Sequence, residues 1–253
     1  MPIALVTGAT AGFGRAIALK FAEHGYDLII TGRRKERLIE LEDIIRNTYE
    51  TRVYYSVFDV RNSEEVAAEL NAIPHDWKQV DVLVNNAGLA QGFSTIQEGN
   101  IEDWEVMIDT NIKGLLYVSR IVLPWLIQQG RGHVINLSSI AGKETYSKGN
   151  VYSATKHAVD ALSKSMRIDM LQHGIRVTSI NPGAAETEFS LVRFKGDADR
   201  AAQTYKGFKP LVADDIAEVV YFAASRPPHV VLNDITITPL AQASPAYFYK
   251  EGM

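Results

Sequence analysis

Ile3-Ala4-Leu5-Val6-Thr7-Gly8-Ala9-Thr10-Ala11-Gly12-Phe13-Gly14 joins an apolar run to a glycine-rich loop. Residues 3–7 read as a buried strand and residues 15–24 as an amphipathic helix, so the glycines sit at a strand-to-helix turn. Glycine lets a backbone turn tightly and come close to a phosphate, and a helix N-terminus offers unpaired N–H groups and the positive end of a dipole. The spacing is GxxxGxG and departs from the GxGxxG dinucleotide fingerprint. Its place between strand and helix is what makes it a nucleotide-binding signal.

Working outward, the pattern repeats. Strands are predicted at 27–31, 53–58, 80–85, 133–137, 176–180 and 234–238, and helices at 34–46, 63–71, 101–129, 151–172 and 214–224. Several of the strand candidates are almost wholly apolar, as strands covered on both faces should be. Alternation of this kind predicts an α/β fold, a doubly wound parallel sheet. No linker, repeat or low-complexity tract divides the chain, so residues 1–253 read as one domain. Only 184–210 breaks the rhythm; following Pro182-Gly183 at a strand end, it reads as a lid over a ligand.

With 253 residues, 46% of them hydrophobic, the chain can build one large core. A net charge of −4 gives no footprint for nucleic acid. There is no cysteine, which excludes disulfides and thiolate chemistry, and the six histidines are too scattered for a metal site. The run at 3–6 is too short for a signal-peptide core, and the apolar stretch 114–127 is broken by Arg120 and Pro124. A cytoplasmic protein with no membrane partner is the expectation.

Chemistry points to Tyr152-Ser153-Ala154-Thr155-Lys156. Tyr152 and Lys156 are four apart and share a helical face. An ammonium beside a phenol lowers the phenol's pKa from its free value of about 10 and makes a base from a weak acid. At the other end, the second strand runs into Thr31-Gly32-Arg33-Arg34. An acid that would hold the ribose of NAD is expected about 20 residues past the glycine loop. Gly32 stands there instead, and two guanidiniums follow that match the charge and oxygens of a 2′-phosphate. NADP is the predicted cofactor. Asp59-Val60 and Asn85-Asn86-Ala87-Gly88 close two further strands at the same edge.

The ordered set TGATAGFG (7–14), NNAG (85–88), Asn111, Ser139, YSATK (152–156) and PG (182–183) resembles the short-chain dehydrogenase/reductase family over nearly the whole chain. Within it, Thr31–Arg34, NPGAAETEFS (181–190) and VRFKGD (192–197) are most similar to the NADP-dependent 3-hydroxy acid dehydrogenases, also called serine or allo-threonine dehydrogenases. The resemblance implies a Rossmann-type sheet of seven strands in the order 3-2-1-4-5-6-7. It implies that Tyr152 is the general base in oxidation and the acid in reduction. Ser139, selected over Ser138 by its spacing to the tyrosine, and Tyr152 would bind the substrate oxygen. Lys156 would support the tyrosine and the nicotinamide ribose, and Asn111 would hold a proton-relay water.

Cofactor contacts are implied at Thr7, Gly8, Thr10, Gly12, Phe13, Gly14, Arg33, Arg34, Asp59, Val60, Asn86, Ala87, Gly88, Tyr152, Lys156, Pro182, Gly183, Ala185 and Thr187. The implied reaction interconverts a small 3-hydroxy acid or β-hydroxy amino acid and its carbonyl. A broad carbonyl or diketone reductase and a non-catalytic NADP sensor are the alternatives. Arg193, Lys195 and backbone N–H groups of the lid are the candidates to hold a substrate carboxylate. Family members pair through the helices matching 101–129 and 151–172, which implies a homo-oligomer, a tetramer ahead of a dimer.

Tyr152→Phe keeps the ring and removes its titrating group. Steady-state rates should fall by roughly 10²–10⁴, the usual cost of losing a general acid–base group. Retention of more than about a tenth of the wild-type rate would remove Tyr152 from that role.

Overall fold

A computed structural model of the chain describes residues 1–252. Seven strands, β1 (Ile3–Val6), β2 (Asp27–Gly32), β3 (Val53–Val57), β4 (Val80–Asn85), β5 (Gly132–Leu137), β6 (Ile175–Pro182) and β7 (Asp234–Ile237), form one sheet. Its order is β3-β2-β1-β4-β5-β6-β7 with every neighbouring pair parallel. This is the single Rossmann-like α/β domain that the sequence predicts.

Strand alternation divides the core. Ala4 and Val6 face one layer with Ile17, Phe21, Leu38 and Val220. Ile3 and Leu5 face the other with Leu70, Val118, Val122 and Val159. The first layer holds α1 (Gly12–Glu23), α2 (Lys35–Thr48) and α9 (Ala213–Ala224); the second holds α3 (Ser63–Ala72), α5 (Leu115–Gln129) and α6 (Asn150–Met170). Burial of both strand faces explains why these strands lack a polar alternation.

Three differences from the sequence reading concern how elements begin and bend. α1 starts at Gly12, three residues before the predicted 15, so the last two loop glycines belong to the helix's first turn. The predicted helix 101–129 is three pieces: α4 (Ile101–Ile108), a π-helical turn (Asp109–Gly114) and α5. Gly114 lies flush against Val60, where an added Cβ would come within 2.8 Å of a valine methyl. The stretch 184–210 is no bare loop, for it carries two short helices, α7 (Glu188–Arg193) and α8 (Ala198–Gln203). Thr187 and Asp197 cap them by accepting from backbone N–H groups. Among the described residues no helix is long and apolar enough to cross a membrane.

Strand order reverses between β1 and β4, and the loops leaving these strands meet there. Thr7 Oγ1 accepts from the backbone N–H groups of Asn86 and Ala87, each at 3.0 Å. Asn86 Nδ2 returns donors to the carbonyls of Thr7 and Gly8, at 2.8 and 3.2 Å. Gly8 has φ +67° and lies against the Ala87 backbone. A Cβ on Gly14 would stand 2.3 Å from the Gly8 carbonyl oxygen. Only glycine fits that position while the two loops touch.

Gly14→Ala should therefore destabilise the fold by about 1–3 kcal/mol, the range for overpacking against groups that cannot move aside. Urea denaturation measures it. An unchanged midpoint would mean that the two loops yield.

Candidate active site

The crevice beyond the carboxyl ends of β1 and β4 opens into a cleft of about 320 Å³. In open α/β sheets this switch point is where ligands bind. The glycine loop forms its floor with Gly8, Thr10, Gly12 and Phe13, and Asn86, Ala87 and Gly88 form one wall. α1 has no side-chain cap and no acid in its first turn. Its free N–H groups thus face the cleft with an uncancelled positive dipole.

At the outer end stand Gly32, Arg33, Arg34, Asp59 and Val60. A Cβ at Gly32 would meet the Thr10 methyl at 2.6 Å, so this backbone leaves no room for an acid there. Arg34 donates to Thr10 Oγ1 through Nε and Nη2, at 3.1 and 2.9 Å. Its Nη1 reaches Glu188 of α7 at 2.9 Å, and Arg37 holds the second Glu188 oxygen at 2.5 Å. Burial pushes the Glu188 carboxyl up, but hydrogen bonds from Arg37 and Arg34 outweigh it and leave the group below the usual range. Arg33 lies 3.5 Å from Asp59, whose main partner is Arg61 at 2.6 Å.

The inner end carries Tyr152 and Lys156, both buried on α6. Lys156 Nζ donates to the Leu137 carbonyl at 2.8 Å and sits 6.0 Å from the centre of the Tyr152 ring. Burial pushes the Tyr152 phenol up to about 12, with Tyr146 adding to the rise while the Ser139 hydroxyl and Arg193 act against it. Burial alone pushes the Lys156 ammonium down to about 8. The sequence argument expects the opposite for the tyrosine. Desolvation wins here because Lys156 is weakened by the same burial and its donor points at a carbonyl.

Around this pair the hydrogen bonds are local. Ser139 Oγ accepts from the Ala141 N–H at 3.0 Å and donates, at 3.4 Å, to the Pro182 carbonyl. Ser138 Oγ donates to the Lys156 carbonyl at 3.0 Å. Asn111, within the π turn, donates from Nδ2 to the Leu89 carbonyl and to Thr155 Oγ1, while its Oδ1 accepts from the Leu89 N–H. Both amide donors are spent on protein groups. Oδ1 keeps one lone pair on the side of Gly88 that also meets Lys156 Nζ.

Most residues singled out from the sequence meet at this cleft. Thr7, Gly14, Asn111, Ser139, Pro182, Gly183 and Ala185 stand outside its lining. Thr7 and Gly14 join the two loops, as described above. A Cβ on Gly183 would meet the Gln242 side-chain oxygen at 2.2 Å, and Ala185 pairs with Leu211. Thr187 closes onto the floor, its Cβ 3.5 Å from where Gly12 would carry one. Glu188, Phe189 and Val192 of α7 line the cleft as well and were not singled out. The acid three residues before an apolar run was readable only as a helix start; its partners are 154 and 151 residues away. Tyr152 also borders a second, smaller cleft with Phe93, Trp104 and Arg193. The aromatic cluster beside it includes Phe189, 5.6 Å away ring to ring.

Comparison with known proteins gives a consistent picture. Residues 2–197 match the family model of the short chain dehydrogenases. The NADP-dependent 3-hydroxy acid dehydrogenase YdfG of Salmonella typhi is 46% identical over 242 residues, covering 95% of this chain and 96% of that protein. Sulfoacetaldehyde reductase 2 of Chromohalobacter salexigens is 44% identical over 246 residues, 97% of each chain. The closed form of a serine dehydrogenase complexed with NADP+ superposes with a TM-score of 0.92 at 44% identity, over 98% of both chains.

Arg34 divides its donors between Thr10 and Glu188, so an anion at the end of β2 competes with Glu188. Glu188→Gln should tighten binding of adenosine 2′,5′-bisphosphate, and Arg34→Ala should weaken it by about 1.5–3 kcal/mol, the worth of a charged hydrogen bond. Neither should change binding of adenosine 5′-monophosphate. Calorimetric titration separates the two ligands, and equal weakening of both by Arg34→Ala would assign that arginine to the fold.

Proposed function

Because the chain belongs to the short chain dehydrogenase family, we propose that it is an NADP-dependent oxidoreductase interconverting a small 3-hydroxy acid, or β-hydroxy amino acid, and its carbonyl. The observation that carries the reading is one cleft with the Arg33 and Arg34 guanidiniums at its outer end and a buried Tyr152–Lys156 pair at its inner end. The cofactor fits the residues present. Uncapped N–H groups of α1 suit a pyrophosphate, and the Gly32 backbone excludes the acid that would select NAD. Arg33 and Arg34 match a 2′-phosphate. Thr10, Phe13, Asp59, Val60, Asn86, Ala87, Gly88 and Thr187 border the same space, and Lys156, on its inner wall, would hold the nicotinamide ribose.

A bound NADP would supply a hydride acceptor for oxidation of the alcohol, and NADPH a hydride donor for the reverse direction. The protein's part is to move one proton and to hold the substrate still. In oxidation, Tyr152 Oη accepts the hydroxyl proton as the carbonyl forms; in reduction it returns that proton to the substrate oxygen. Ser139 Oγ orients that oxygen beside Tyr152. Lys156 keeps a positive charge near the phenol. Asn111 is a positioning residue, fixing the Leu89 backbone and Thr155, whose hydroxyl donates to the Tyr152 carbonyl at 2.8 Å.

We further propose a cytoplasmic protein and, on the family reading, a homo-oligomer, a tetramer ahead of a dimer, built through the helical stretches 101–129 and 151–172. Leu116, Ile168 and Leu171 are exposed on these stretches, which supports that face. The segment 184–210 acts as the lid, its α7 roofing the cleft.

Serine or 3-hydroxypropanoate should be oxidised with NADP, followed by the absorbance of the reduced nicotinamide. Rates of oxidation should climb with pH, since the tyrosine must be deprotonated to accept a proton, and rates of reduction should fall over the same range. Burial holds the phenol high, so the crossover lies on the alkaline side unless positive charge in the complex lowers it. Turnover of uncharged diketones far faster than any hydroxy acid would favour the carbonyl reductase alternative. NADP binding without turnover of any substrate would favour a sensor.

A further inference from the structure

β7 runs on into Thr238-Pro239-Leu240-Ala241-Gln242-Ala243-Ser244, a stretch whose one long polar side chain is Gln242. Glutamine is mostly exposed in folded proteins, yet Gln242 is only 6% exposed. Its Oε1 accepts from the Ala184 N–H at 2.7 Å, and its Nε2 donates to the Ser244 carbonyl at 3.2 Å. The loop that carries it is braced in turn. The Tyr249 N–H donates to the Ala241 carbonyl at 2.8 Å and the Glu251 N–H to the Gly207 carbonyl at 2.9 Å. The Phe248 ring lies 5.1 Å from that of Phe208, centre to centre. The amide is held from behind and aimed at the backbone leaving β6.

That backbone governs the inner end of the cleft. The Gly183 N–H donates to the Ile237 carbonyl at 2.7 Å, and the Ala184 carbonyl accepts from the Leu211 N–H at 3.0 Å. With Gln242, three separate stretches fix two residues, and only Gln242 does so through a side chain. Just before the pair, the Pro182 carbonyl takes the Ser139 hydroxyl at 3.4 Å. Just after it, Thr187 reaches the cleft floor and Phe189 the Tyr152 ring. An O–H···O contact of that length is weak, so the Ser139 hydroxyl is parked on a partner it can leave for a substrate oxygen. A carbonyl displaced toward Ser139 would hold the hydroxyl back, and one displaced away would let it turn elsewhere.

We propose that Gln242, which lines neither cleft, is a positioning residue for the reaction. It fixes the Pro182–Ala184 backbone, and through that backbone the aim of Ser139 and the seat of the nicotinamide end of the cofactor. This deepens the functional assignment above and rests on it. The close fit of the amide to Gly183 is part of the device, because an added Cβ there would stand 2.2 Å from Oε1 and push the two apart. Thr10, Gly32 and Arg33, at the outer end of the cleft, follow β1 and β2 and take no bond from Gln242.

The test uses the full chain with two variants. Gln242→Met keeps the length and drops both hydrogen bonds, and Gln242→Asn keeps an amide but withdraws it by one carbon. By calorimetric titration, NADP should bind roughly three- to thirtyfold more weakly to both, as expected for one lost hydrogen bond. Adenosine 2′,5′-bisphosphate, which lacks the nicotinamide half, should bind no more weakly than to the wild type. With whichever substrate the wild-type enzyme turns over, kcat should fall about tenfold on Gln242→Met. In the Ser139→Ala background the same change should cost less than about threefold, since two residues acting on one hydroxyl do not add. Should the methionine variant not fold, the asparagine variant carries both comparisons.

Equal weakening of both ligands, or wild-type affinity for NADP in both variants, would reduce Gln242 to a brace of the tail. Fully additive losses of kcat would do the same. If the wild type turns over no substrate, the oxidoreductase assignment falls. The split between NADP and its adenosine fragment then still upholds or overturns the role of Gln242 in seating the nicotinamide end.

Discussion

Contact between the two loops at the strand-order reversal is the constraint on which the rest depends. The β1 loop and the β4 loop share a hydrogen-bonded knot of Thr7 and Asn86, with Gly8 and Gly14 removing every atom that would hold them apart. Once the knot is tied, α1 leaves at an angle that opens its N-terminus toward the cleft. The Gly88–Leu89 segment is then delivered to Asn111, which ties it to Thr155 and so to the helix bearing Tyr152. The glycine-loop floor of the cleft and the wall bearing Tyr152, built on different helices, are thus referenced to one point.

Within that rigid frame, burial moves both ionisable groups of the inner site away from their values in water. Two groups that would stabilise each other in solvent are instead each discouraged from ionising, the tyrosine because it would gain charge and the lysine because it would keep it. In the protein alone the phenol therefore stays protonated near neutral pH, while the ammonium, pushed down to about 8, keeps its charge there by a narrower margin than in water. Charge arriving in the cleft has a large effect on such a pair because little solvent is present to screen it.

The seven strands and their parallel class were legible in the sequence, since buried parallel strands and glycine-marked turns leave a local signature, while their order came from the family resemblance. That Tyr152, Lys156, Arg33 and Arg34 line one cleft was legible in a similar way, from their spacing along single elements and their place after strands. What was not legible depends on distant partners. The Glu188 bridge to Arg34 and Arg37 and the cage of Phe93, Tyr146 and Phe189 around Arg193 are formed by residues far apart in the chain. The sign of the tyrosine shift was misjudged because spacing reports which groups are neighbours and says nothing of how dry they are. The uniform helix 101–129 was misread in one turn, where the packing of Gly114 on Val60 is a tertiary demand.

That turn has a consequence for how the gene tolerates change in length. Asp103, Met107, Asn111 and Leu115 are all buried and each is four residues from the next, a spacing that drifts off one side of a regular helix of 3.6 residues per turn. The wider turn at Asp109–Gly114 takes up the drift, so the stripe that continues through Val118, Val122 and Leu126 still faces the sheet. Deleting one residue from α4, where no turn is wide, would swing everything downstream by about 100° and turn that stripe toward water, whereas a deletion within the wide turn closes it to a regular helix with the stripe still in phase. The α-helical parts of the chain's most regular-looking rod are thus where an in-frame indel of a single codon does most harm, while the exposed tip between α7 and α8 has no phase to lose.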